Sequence, residues 1–349
     1  MSVRHNKVCF FLLLCAAGLS LGIPGSSQFT DDFNRGVAEF QAGRYSEAAA
    51  SFTRAELATP GTTDALLYQA KCFVHLQNLA EAETALRSYL AHHRDSADGL
   101  YLLGFVVHRQ NRPAESLEIY TQAAALLPPA TDDLKIVGLN YVLLNDYPDA
   151  IKWLEKAVEL DPKNKDAWYY LGRAYYTRSV LLEARKAFLR VLELDPRDAR
   201  AENNLGLVFE SSAQPSAAID AYRKAIAWQE SSPHPSEQPY VNLGNLLLGQ
   251  GRTEEAVSPL EKSVALAPDN ASCRLKLGMA YLRIRQLPTA RRELEKATQL
   301  EPDNAAAHYQ LGRLYSEIHE PDLAKAEFAR TAELQSEAAK AKLSTTPNP

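Results

Sequence analysis

Apolar and small residues recur along this chain at helical spacings. Between residues 165 and 198, Trp168, Leu171, Gly172 and Tyr175 fall at i, i+3, i+4 and i+7, one stripe of a first helix. Leu181, Ala184, Phe188 and Val191 form a stripe on a second. The pattern predicts a helical hairpin, and no segment alternates at the period of two that a half-buried strand requires. With Gly172 placed at position 8 of a 34-residue unit, equivalent residues fall at Gly36, Ala70, Gly104, Gly138, Gly206, Gly244, Gly278 and Gly312. Every step is 34 residues except the one of 38 between Gly206 and Gly244.

Columns that did not set this register test it. Position 20 is small throughout: Ala48, Ala82, Ser116, Ala150, Ala184, Ala218, Ala256, Ala290 and Ala324. Position 24 is large and apolar throughout: Phe52, Leu86, Tyr120, Leu154, Phe188, Tyr222, Leu260, Leu294 and Phe328. Position 32 is Pro60, Pro128, Pro162, Pro196, Pro268 and Pro302, with Arg94, Glu230 and Ser336 as exceptions. Glycine inside a helix costs roughly 0.5 to 1 kcal/mol against alanine. Eight of the 16 glycines nevertheless occupy position 8, so close helix approach must offset that cost. On this reading, small residues at 8 and 20 let paired helices touch, the large residue at 24 wedges toward a neighbour, and proline at 32 stops the second helix. One hairpin cannot bury both stripes, so hairpins stack and share a core.

The run Trp168-x-x-Leu171-Gly172-x-x-Tyr175, followed by Ala184-x-x-x-Phe188 and Pro196, resembles the tetratricopeptide repeat (TPR) pattern. The resemblance implies an all-α, right-handed superhelical solenoid of nine TPR helical hairpins. The units are 29–62, 63–96, 97–130, 131–164, 165–198, 199–232, 237–270, 271–304 and 305–338, with a four-residue insertion near 233–236. Pro233, Pro235 and Pro239 lie in or beside that insertion, which is expected to be the most mobile internal loop, whether a plain surface indel or a hinge. Residues 339–349 are expected to end the last helix, with a disordered tail from Ser344.

Upstream, Arg4 and Lys7 precede an apolar run of 14 residues from Val8 to Leu21. Residues 1–22 read as a signal peptide with a small-x-small site at Ser20-Leu21-Gly22, and 23–28 as a linker. The run is short for a membrane span, with an uncleaved anchor as the alternative. Cys15 after Leu12-Leu13-Leu14 resembles a lipoprotein signal only loosely. The expectation is therefore an exported chain, periplasmic or secreted, reaching a membrane only through that segment. Without Arg4 and Lys7 the net charge moves from −5 to −7, which disfavours nucleic acid and anionic membrane as partners. Cys72 and Cys273 stand in repeats 2 and 8, too far apart for an intramolecular disulfide if repeats touch only their neighbours, and burial is the expected fate of both.

No H-E-x-x-H, P-loop, G-x-S-x-G or paired C-x-x-C occurs, and nine repeats leave no room for a catalytic domain. His92-His93 reads as a solvated helix end, since adjacent helical positions diverge by about 100°. Tyr175, Tyr281 and Tyr315 at position 11 read as core packing, and no cofactor or metal is expected. Binding is another matter, because a solenoid exposes a concave wall of first helices. Positions 2, 6, 9 and 13 cluster opposite the core stripe at 4, 7, 8 and 11. There the chain places Arg173, Arg200, Asn204, Asn242, Asn245, Lys276, Arg283 and Arg313. The asparagines in Asn203-Asn204-Leu205-Gly206 and Asn242-Leu243-Gly244-Asn245 resemble part of the asparagine ladder by which TPR domains hold an extended peptide; of repeats 1 to 5, only Asn34 also fits. The expected function is a non-catalytic scaffold for a protein or peptide. The alternative is an accessory or targeting subunit of an envelope polysaccharide-synthesis or secretion machine.

Overall fold

The computed structural model describes residues 24–60 and 64–344. Among these are eighteen α-helices and no strand, an all-α repeat solenoid divided after Pro129 into two compact units. Unit 1 holds three hairpins: α1 (Pro24–Gln41) with α2 (Tyr45–Ala58), α3 (Ala65–His75) with α4 (Leu79–His92), and α5 (Ala97–Arg109) with α6 (Pro113–Leu126). Unit 2 holds six. They are α7 (Thr131–Leu143) with α8 (Tyr147–Leu160), α9 (Lys165–Thr177) with α10 (Leu181–Leu194), and α11 (Ala199–Ser211) with α12 (Pro215–Gln229). Then follow α13 (Gln238–Gly249) with α14 (Thr253–Leu266), α15 (Ala271–Arg283) with α16 (Leu287–Leu300), and α17 (Ala305–Glu317) with α18 (Pro321–Ser344). The expected signal peptide, and the tail beyond Ser344, lie outside the described residues. Two expected boundaries move. The stretch read as a linker is helical from Pro24, where proline suits a first helical position, and Ser344 closes α18 instead of opening a tail.

Each first helix ends the same way. The residue at position 15 has positive φ in all nine hairpins: Gly43, Gln77, Asn111, Asn145, Ser179, Ala213, Gly251, Arg285 and His319. In unit 2, for example, the Asn145 N–H donates to Val142 and the Asp146 N–H to Tyr141, the paired bonds that close a helix around a left-handed residue. Only Gly43 and Gly251 meet that geometry without Cβ strain. Ala213→Gly and Arg285→Gly are therefore expected to stabilise the protein by about 1 kcal/mol each, read as a rise in melting temperature. A fall for both would contradict the turn geometry.

Second helices hand the chain on through position 34. Ser96, Asn164, Asp198, Asn270 and Asn304 each accept, on a side-chain oxygen, the backbone N–H three residues on, at 3.0 to 3.2 Å. Ala130 has no such oxygen; there the Asp133 carboxylate accepts the Ala130 N–H at 2.8 Å. The position-32 carbonyl is also used: Trp168 Nε1 donates to Pro162 at 3.0 Å and Arg274 Nε to Pro268 at 2.7 Å.

Within every hairpin that has glycine at position 8, the place a Cβ would occupy lies 2.5 to 2.8 Å from the side chain at position 24 of the same repeat. Position 24 thus fills the gap within its own hairpin and, as expected, also reaches the next repeat: in unit 1 the Phe52 ring stacks on Tyr68 with centroids 5.3 Å apart. Position 20 is buried throughout, and Ser116 Oγ donates to the Gly104 carbonyl at 2.7 Å. Cys72 and Cys273 are buried free thiols, and burial pushes Cys72 up to about 12. The insertion is fastened: Gln229 Nε2 donates to the Ser236 carbonyl at 2.8 Å, and the Ser236 N–H donates back to Gln229 Oε1 at 2.9 Å.

Candidate peptide-binding groove

In unit 2 consecutive first helices pack side by side, α7 on α9, α9 on α11, α11 on α13, α13 on α15 and α15 on α17, and so form one wall. The residues that line it in repeats 5 to 9 divide into three groups.

Asn204 and Asn242 hold the wall together. Asn204 Nδ2 lies 3.2 Å from Tyr169 Oη and 2.8 Å from the Arg200 carbonyl, while Asn242 Nδ2 donates to Asn203 Oδ1 at 2.9 Å. Each links its repeat to the one before. Both N–H groups of Asn204 and one of Asn242 are used in this way, so replacing these residues would loosen the stack as well as any groove contact.

Arg200 belongs to a fixed cluster. Its guanidinium lies over the Tyr169 ring at 4.8 Å, 3.1 Å from Asp198 and 3.7 Å from Asp166.

The third group faces outward. Arg173, Asn245, Arg283 and Arg313 are exposed and Lys276 is half-buried. Asn245 and Arg283 meet in a cleft of about 450 Å³ between repeats 6, 7 and 8, with Pro215, Leu246, Leu248 and Met279 as its apolar lining and Glu210 at one edge. Arg283 Nη1 donates to the Leu248 carbonyl at 2.5 Å, which fixes the guanidinium while four N–H donors remain. Glu210 accepts the Tyr222 hydroxyl at 2.8 Å. Arg173, Lys276, Arg283 and Arg313 have no carboxylate partner among the described residues, although most other cations here are paired; Arg313 contacts only the neutral Gln310.

Periodicity did not reveal the polar links between repeats. Tyr175, Tyr281 and Tyr315 are packed as expected, yet their hydroxyls bond Glu155, Glu261 and Glu295 of the preceding repeats, with Tyr315 at 2.9 Å. Burial, assisted by those carboxylates, pushes Tyr281 and Tyr315 up to about 12. The signal was present as glutamate at position 25 of repeats 4, 7 and 8. No group of side chains suited to a metal occurs among the described residues, and no helix there is long and apolar enough to cross a membrane.

Family models described as tetratricopeptide repeat match residues 33–91, 76–131, 181–235, 237–270 and 293–326, and one described as TPR repeat matches 138–178. Curated relatives are distant. The chain is 24% identical over 218 residues to a BBSome complex member of Bos taurus, covering 61% of this chain and 41% of that one. It is 28% identical over 157 residues to a type IV pilus assembly protein of Pseudomonas aeruginosa, covering 44% and 61%. It thus spans less than half the length of the bovine relative and under two thirds of the bacterial one. Among solved structures, a tetratricopeptide repeat protein from Parabacteroides merdae superposes with a TM-score of 0.58 at 18% identity, over 72% of this chain and 97% of that one. The Cut9-Hcn1 assembly gives 0.58 at 16% identity, over 84% and 57%. The repeated position-8 contacts, the nine hairpins and these matches agree, and the chain belongs to the tetratricopeptide repeat family.

Proposed function

We propose that this chain is an exported, non-catalytic scaffold that holds an extended acidic peptide segment along the first-helix wall of repeats 5 to 9. The observation that carries this reading is the row of cations without carboxylate partners, Arg173, Lys276, Arg283 and Arg313, on the wall of a chain whose net charge is −5. Asn245 adds an amide that both donates and accepts, as a peptide backbone requires, and Met279 gives an apolar floor. Export rests on Arg4, Lys7 and the apolar run after them. A second reading, an accessory subunit of a secretion or envelope-assembly machine, is favoured by the resemblance to the pilus assembly protein.

The test is titration by fluorescence anisotropy with pools of labelled unstructured peptides, one acidic and one of reversed charge. The acidic pool should bind, and the double substitution of Asn245 and Arg283 to alanine should weaken it by about 10- to 100-fold at unchanged helicity. Equal binding of both pools, or of both proteins, would move the site off this wall.

A further inference from the structure

Three kinds of contact are made between successive repeats, one of them throughout unit 2, and among the described residues repeat 9 leaves the outward member of each uncovered. Position 24 is fully buried in Leu154, Phe188, Tyr222, Leu260 and Leu294, where the second helix is packed under the following first helix, but Phe328 is 37% exposed. In repeats 5 and 6 position 5 bonds forward to position 6 of the next repeat, Tyr169 with Asn204 and Asn203 with Asn242. Tyr169 is 9% exposed, whereas Tyr309, the same position in repeat 9, is 47% exposed and lies 5.9 Å from the Phe328 ring. At two seams position 21 pairs forward with position 16: Arg291 with Glu320 at 3.2 Å and, in unit 1, Glu83 with Arg112 at 2.7 Å. In repeat 9 position 21 is Lys325, which has no ion pair or hydrogen bond among the described residues. Lys325 and Phe328 border an open hollow of about 760 Å³ against Pro321 and Ala324.

We propose that this outer face of repeat 9 docks one amphipathic helix of a partner protein, seated as a further first helix. That helix carries an acidic residue for Lys325 and apolar side chains for the hollow beside Phe328. The internal interfaces define the occupant, and charge selects it. A second copy stacked end to end is a poor occupant, because α1 carries Asp32, Arg35 and Glu39 where later repeats face backward. All three are spent: Arg35 on Glu39 at 3.0 Å, Ser51 on Glu39 at 2.7 Å, and Arg54 on Asp32 at 2.9 Å. That face is a polar cap.

The test uses the full chain and, as probe, a labelled peptide of residues 305–320 held helical by a hydrocarbon staple, since this segment already stacks on repeat 8. Fluorescence anisotropy should show saturable one-to-one binding. Lys325→Glu should weaken it about fivefold, and a Glu320→Lys peptide should recover the loss. Phe328→Asp should weaken it at least about 30-fold. Asn245→Ala should leave it unchanged, which separates this face from the groove. Absence of binding by the helical peptide, or equal binding to both variants, overturns the proposal. So does a concentration-dependent dimer in sedimentation velocity that Phe328→Asp abolishes, since the occupant would then be a second copy.

Discussion

Replacing Gly206 by alanine is expected to destabilise the protein by about 1 to 3 kcal/mol, although the same exchange stabilises an ordinary helix. A Cβ on Gly206 would stand 2.5 Å from Cε1 and 2.7 Å from Cδ1 of Tyr222. That ring cannot swing away cheaply, because it is fully buried and its hydroxyl donates to Glu210 Oε2 at 2.8 Å. Either α11 and α12 separate, losing contact along their length, or the ring leaves its rotamer. Gly249 is the internal control. It ends α13, has ordinary φ, and nothing lies within 4 Å of where its Cβ would stand, so Gly249→Ala should gain about 0.5 to 1 kcal/mol. Thermal unfolding of the two variants should shift in opposite directions. If Gly206→Ala melts at or above the wild-type temperature, the contact between positions 8 and 24 is not what holds the hairpin. Repeat 2 shows that one hairpin has adapted, since Ala70 and Leu86 are both fully buried there. Larger intrusions at the same crossing, such as Gly172→Leu or Ala184→Leu, should cost more.

The second large effect lies in two acidic residues four positions apart whose environments pull in opposite directions. Asp198 is buried, and burial disfavours its charge, but the Arg200 guanidinium, the Ala201 N–H and Lys165 outweigh that and hold its carboxyl below the usual range. The same carboxylate caps α11 through the Arg200 and Ala201 amides, both at 3.0 Å. Asp198→Ala removes cap and ion pairs together and should cost about 2 to 3 kcal/mol at neutral pH. Because its folded pKa is depressed, the stability Asp198 contributes is present above the unfolded value of about 4 and is lost as pH falls through the folded one. Glu202 is the reverse. Burial raises its pKa, and Lys224 at 3.4 Å does not compensate. Folding therefore disfavours its charge at neutral pH, and that penalty fades as pH falls through the raised folded value. Position 4 is Leu66, Leu100 and Leu134 in other repeats. Glu202→Leu should accordingly gain about 1 kcal/mol or more at pH 7, and less at pH 5. Urea unfolding at the two pH values checks both signs. A destabilised Glu202→Leu variant would mean that the Lys224 pair outweighs its desolvation.

The hairpins were legible in the sequence because one contact, position 8 against position 24, is written into nearly every repeat and tolerates little variation. The groove was legible only as a face. A 34-residue period states which side of a helix a residue occupies, but not which atom of the next helix it meets. Asn204 reaches a tyrosine 35 residues back and Asn242 an asparagine 39 back, and both distances depend on the rise and rotation between hairpins. The ladder of asparagines thus became partly a set of cross-links, and Asn245 with Arg283 emerged as the open pair. Position 24 was read as reaching a neighbour, which it does; helix spacing alone did not show that it also fills the position-8 gap of its own hairpin.

The bonds between successive repeats also act against error. A chain of near-identical hairpins can stack wrongly by skipping one, since any first helix roughly fits any second helix. Here several seams carry a contact of their own, Tyr169 with Asn204, Asn203 with Asn242, and Arg291 with Glu320, beside the glutamate–tyrosine bond that three seams share. A skipped hairpin would bring Glu261 to Tyr315, which it could satisfy, but would leave Arg291 without its acid and Tyr281 without its acceptor. The seams therefore work as a set of keyed joints that favour assembling the hairpins in the order in which they are synthesised.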